Sequence, residues 1–353
     1  MISPVLRPYL EDIEARLQDS VESVIHQQWK DFAEDHYDGL GPIFSPRRPR
    51  ANLPAIEWPK VGINAALDDY DAMALQQFGG VSAALAAGSG QILNVRCNYG
   101  SSILPSLFGV KMFIMDEALD TLPTSVPLND INAIQRLLDA GVPAPETGWG
   151  GRVLEMGRRF AEIAREYPKI GRWVNIYHPD CQGPLDVVEV LWGSSMFYAL
   201  YDRPELVHAL LERVVETYIR FMQTWTEIVP FNPQGNSHWG FYHRGSLMLR
   251  DDSAMNLSRK MVEEFVCPYD QRLLDVFGGG AIHFCGRGDH YISAIAQLKG
   301  LYAINLSQPH LNQMEKIYNH TIDRGIPLLG LERSAAEEAA KCGRDLHGRI
   351  HST

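Results

Sequence analysis

The sequence predicts an α/β fold, a (β/α)8 TIM barrel with an N-terminal helical extension, and three observations predict it. Short apolar or β-branched runs alternate with longer amphipathic stretches, the pattern of parallel strands joined by helical crossovers. At 353 residues, 45% hydrophobic and 21% charged, the chain has material for one core of barrel size. No GxGxxG follows an early strand, so a doubly wound dinucleotide-binding sheet ranks second.

Taken in order, the stretch YLEDIEARLQDSVESVIHQQW repeats apolar residues three and four apart and predicts an amphipathic helix from Pro8 to about Glu34. Residues 41–60, GPIFSPRRPRANLPAIEWPK, hold five prolines and no period, which predicts an extended loop. Its arginines Arg47, Arg48 and Arg50 suit either an anion grip or a solvated surface. Residues 1–60 are thus read as a helix and loop packed on a barrel of residues 61–353.

Strands are expected at 91–97, 111–115, 172–178, 237–243, 280–285, 301–306 and 326–331, with an eighth easily missed. Helices are expected at 129–141, 152–167, 203–225, 258–277 and 310–325.

A net charge of -11 without a Lys/Arg block argues against nucleic acid as a partner. The uncharged span from Ala72 to Val95 is too polar for a membrane helix, and the charged N-terminus has no apolar signal core, so no membrane partner and a cytoplasmic location are expected. The five cysteines are odd in number and scattered, which favours reduced thiols over a disulfide framework.

The chemistry-bearing stretch is AIHFCGRGDHY, residues 281–291. On a strand, His283 and Cys285 share one face, and Gly286 and Gly288 end that strand where a barrel opens its active site. Imidazole and thiolate are preferred zinc ligands, and a catalytic zinc takes three protein ligands and one open position. The third is Glu332 by its place at the end of IPLLGLE, or Cys342 by its ligand type. The same pair can also serve as a core thiol and a hydrogen-bonded histidine.

Asp251 and Asp252 are candidate catalytic carboxylates, or else cap a helix, and His243 precedes them. Asn98, Tyr99, Asn305 and Gln308 sit at strand ends, where uncharged donors suit a neutral or zwitterionic substrate.

HFCGRGDHYI followed by LKGLYAINLSQP resembles the uroporphyrinogen decarboxylase superfamily, above all its cobalamin-dependent methyltransferase branch. NYGSSILPSLFG (98–109), GPLDVVEVLWG (183–193) with YDRPELVHALLE (201–212), and RDDSAMNLSRKMVEEFVCPYDQRLL (250–274) carry the likeness over most of residues 91–332. The resemblance implies a (β/α)8 barrel.

In the family's decarboxylases an aspartate in Ser-Asp-Ile-Leu handles the substrate, and Ser102 of Ser101-Ser102-Ile103-Leu104 falls at that position. A hydroxyl brings no full charge, which disfavours that reaction. In the methyltransferase branch, His-x-Cys and a later Cys bind zinc; His283 and Cys285 match the first two, and nothing matches the third.

The implied function is a zinc-assisted methyltransferase moving a methyl group between a small methylated compound or carrier and a cobalamin (corrinoid) on a partner protein. The alternatives are a decarboxylase of another acid, and a binding barrel without chemistry.

Overall fold

The computed structural model describes residues 2–36, 41–49 and 52–352, so Arg50 lies outside the described residues. At its centre is a parallel sheet of five strands, in the spatial order Ile350–Ser352, Leu328–Leu331, Leu301–Leu306, Gly280–Phe284, Leu247–Arg250. Helical segments return the chain between them, among them Cys267–Phe277, Ile292–Ile295 and Met314–His320. This is the mixed α/β architecture the alternation predicts. A second parallel pair joins Asn94–Val95 to Asn175–Ile176.

Each strand of the sheet presents two faces because side chains alternate. Leu247, Leu249, Ile282, Phe284, Ile304, Leu306 and Leu328 join the main core with the helices. Met248, Ala281, Ala303 and Leu329 face the other way, into an aromatic cluster of Trp29, Phe32 and Phe44. Phe44 pairs in parallel with His351, so the N-terminal extension reaches the last strand of the sheet. Two residues further along that second face stand Arg250, His283 and Asn305, side by side in register.

Several sequence expectations are corrected. The N-terminal helix is two, Arg7–Arg16 and Asp19–Ala33, because buried Leu17 takes an extended backbone between them. The 258–277 helix is also two, Arg259–Phe265 and Cys267–Phe277; Pro268 lacks an N–H and opens the second. The 111–115 run is an antiparallel pair, Met112–Phe113 with Thr124–Ser125, outside the parallel sheet.

The 237–243 run folds back as a hairpin, Asn236–His238 with Phe241–His243, turning on Trp239-Gly240. Leu247–Arg250 and Ile350–Ser352 are strands that the sequence reading did not locate. Arg48 is neither a free anion grip nor solvated: its guanidinium is buried against Glu22 at 2.5 Å and donates to the carbonyls of Ser89 and Gln91.

Candidate metal centre

Gly280–Phe284 delivers His283 and, just past its end, Cys285 to the same side, as strand alternation requires. His283 Nε2 lies 3.3 Å from Cys285 Sγ and 3.5 Å from Asp252 Oδ1. The three ligand atoms all lie within 4.8 Å of one another, the one such His/Cys/acid group among the described residues. Around a tetrahedral zinc, ligand atoms stand roughly 3.4–3.7 Å apart from the bond lengths involved. The two separations from His283 fit such an ion closely.

Asp252 opens the short 3₁₀ turn Asp252–Asn256, and one of its oxygens accepts the Cys285 N–H at 2.8 Å. Its side chain keeps 36% exposure, which leaves a lone pair for a ligand.

The tautomer of His283 follows from its neighbour. Asn305 donates its Nδ2 to the Leu329 carbonyl at 2.6 Å, so its Oδ1, 2.5 Å from His283 Nδ1, is an acceptor. His283 therefore carries its proton on Nδ1, and Nε2 presents a bare lone pair to Cys285 and Asp252. Burial lowers the His283 pKa and keeps the ring neutral, as a metal ligand must be. Burial, then the Asp252 carboxylate, raises the Cys285 thiol, so the proton stays on sulfur until something displaces it.

The loop beyond is pinned by polar side chains. Gln308 Oε1 accepts the Gly286 N–H at 2.5 Å, and Asn312 Oδ1 accepts those of Gly288 and Asp289. Gly330 closes the floor beside Asn305 with φ +66°; a Cβ there would come within 2.7 Å of the Phe241 ring.

The remaining candidates separate. Glu332 bonds Ser334 and, with Cys342, lines a different cavity of about 440 Å³ around His310 and Tyr318. The third atom beside His283 and Cys285 thus comes from Asp252, weighed in the sequence as an acid, in place of either residue expected. Tyr99 is 1% exposed and packs edge-on against Trp149, while Asn98 is buried and donates its Nδ2 to Gln76.

His243 is buried, accepts from His238 Nδ1 at 2.8 Å and is lowered to about 4 by burial. It bonds neither aspartate. Asp251 is 1% exposed and lies against buried Asp270. Burial raises both carboxyls, and the neighbouring Asp270 raises Asp251 further. Asp186 accepts the backbone N–H groups of Asp252 and Ser253 and so fixes the turn that aims Asp252.

Asp252 also lines a cavity of about 550 Å³, together with Gln182, Ser253 and Asn256. Beside His283 stand Arg250 and Trp239, with Asp180 linking Arg250 to Arg96, residues that the sequence reading missed. The available signals were an arginine directly before the paired aspartates and a tryptophan before glycine in SHWGFYH. No helix among the described residues is long and apolar enough to cross a membrane. Compared with protein-family models and with curated proteins, the chain matches none.

Proposed function

We propose that this chain is a zinc-dependent methyltransferase-like enzyme of the uroporphyrinogen decarboxylase superfamily, moving a methyl group between a small methylated compound or carrier and a corrinoid on a partner protein. The observation that carries this reading is the convergence of His283 Nε2, Cys285 Sγ and Asp252 Oδ1 at the C-terminal end of a parallel strand.

A closed (β/α)8 barrel is part of the proposal. Its support is the five-strand parallel sheet, the second parallel pair, and the Gly183 N–H reaching across to the Arg250 carbonyl at 2.8 Å.

Asp252 fits the role in which the resembling family uses a second cysteine, since a carboxylate brings the same single negative charge to the donor set. Zinc in such a set supplies Lewis acidity, which leaves a bound thiol or water nucleophilic near neutral pH. His283 is aligned for this by Asn305, and Cys285 gives up its proton on ligation, so affinity falls in acid. Gln182, Ser253 and Asn256 offer a substrate polar contacts beside Asp252. Ser102, at the position matched with the decarboxylase aspartate, is fully buried, which weighs against the decarboxylase alternative.

Elemental analysis of protein purified without chelators tests the reading, with His283→Ala, Cys285→Ala and Asp252→Ala alongside. Near-stoichiometric zinc that is lost in the variants, together with methyl exchange between a thiol and methylcobalamin, is the expected result. A protein that stays metal-free when offered zinc sinks it.

A further inference from the structure

We infer that Arg96, Arg250 and Trp239 form an anion-holding subsite beside the candidate metal ligands, built for one carboxylate carried by the substrate. Three observations meet there.

The first is charge. Among the described residues Asp180 is the one carboxylate paired with both guanidiniums, so the trio carries a net single positive charge. Its side chain is 4% exposed, whereas those of Arg250 and Arg96 are 12% and 21% exposed. The acid is sealed behind, and the side that still reaches solvent is the basic one. Arg250 also keeps a buried Nε without a hydrogen-bond partner, and its contact to Gln182 is long at 3.5 Å. A partly buried guanidinium with a spare donor is suited to a charged acceptor.

The second is position. Arg250 and His283 are register neighbours on adjacent parallel strands and point to the same face. An anion on Arg250 would therefore lie within one small molecule's length of His283 Nε2.

The third is Trp239. The two-residue turn Trp239-Gly240 has φ of +50° and +83°, the left-handed pair of a type I′ turn, for which asparagine or glycine is the ordinary first residue. A tryptophan there is strained. Its ring sits 4.8 Å from the Arg250 guanidinium and 5.0 Å from the His283 ring, a wall between the two. The strain is explained if the ring is held to orient Arg250 and cover the substrate's middle.

This deepens the proposed function by naming a substrate feature, but the subsite itself needs no metal. Cobalt(II)-loaded protein, in which a thiolate on the metal gives a charge-transfer band, is titrated with para-mercaptobenzoate and with para-mercaptobenzamide. The carboxylate of the first cannot bend back to the same ion. We expect the benzoate to bind about tenfold or more tighter, and Arg250→Gln and Arg96→Gln each to remove most of that preference while the amide binds as before.

Equal binding of the two thiols by the native protein overturns the subsite, as does a preference that survives in both variants. If Arg250→Gln does not fold, the native comparison and Arg96→Gln decide. A protein that takes no metal defeats the methyl-transfer reading alone. Calorimetry of metal-free protein with para-methylbenzoate against its amide then tests the subsite: preference for the anion supports it, and none overturns it.

Discussion

The second face of the five-strand sheet changes character within a single step of two residues. Met248, Ala281 and Ala303 join the aromatic cluster of Trp29, Phe32 and Phe44, whereas Arg250, His283 and Asn305, the next residues on the same strands and the same face, are polar. The lower layer is a plug without a titrating group from those strands. In the upper layer each side chain finds a named partner: Asp180, the Cys285 and Asp252 pair, and the Leu329 carbonyl. Rigidity and chemistry are thus supplied by different layers of one surface, and the plug fixes the strands that aim the ligands.

If the layers divide the work in this way, damage to the plug should cost stability and spare the metal. Trp29 is fully buried and donates its Nε1 to the Gly90 carbonyl at 2.8 Å. Trp29→Ala is expected to lose about 3–5 kcal/mol in denaturant unfolding, with zinc stoichiometry at saturation unchanged. A variant that unfolds no more easily would show that the plug is not a support.

The converse change is Asn305→Leu, which removes the acceptor that holds the His283 proton on Nδ1. Metal affinity should fall about 10- to 100-fold, read by competition with a chelating dye. An unchanged affinity would mean that the tautomer is set elsewhere.

A smaller effect separates Asp251 from its neighbour Asp252. Burial raises both Asp251 and Asp270, so the folded chain binds more protons than the unfolded one above the ordinary carboxylate pKa. Stability from this pair is present below about pH 4 and is lost as pH rises toward the Asp270 value of about 8. Asp251→Asn should flatten that decline of melting temperature with pH. A slope as steep as the native one would remove the Asp251–Asp270 pair as its cause.

Smallest of all, Glu332→Gln should change stability by less than about 0.5 kcal/mol, because the residue contacts Ser334 at the surface and not the His283 cluster. Any loss of metal in that variant would restore it as a ligand.

The pairing of His283 with Cys285 was legible because strand alternation is a local rule, and the runs 280–285 and 301–306 are long and apolar enough to declare themselves. Asn305 was singled out as a strand-end donor, but its service to His283 depends on register between two strands. The strand Ile350–Ser352 was not legible: it is three residues long, and its one aromatic-layer side chain, His351, looks polar in sequence. The 237–243 run misled because hairpin strands and a single parallel strand share the same composition, and its turn carries tryptophan where a turn-forming residue is ordinary.

By itself the sequence determined the helices near 131–140, 150–166 and 204–228, the strands at 280–284, 301–306 and 328–331, the face shared by His283 and Cys285, and the −11 charge that disfavours nucleic acid. Those follow from residue spacing within one segment. Tertiary structure alone decided that Asp252, 31 positions before His283, meets it at 3.5 Å while Glu332 does not. It also decided that Asp251 is buried against Asp270 although Asp252 stays open. A third ligand and a buried acid are defined by which surfaces meet when separate elements pack, and no local period encodes that meeting.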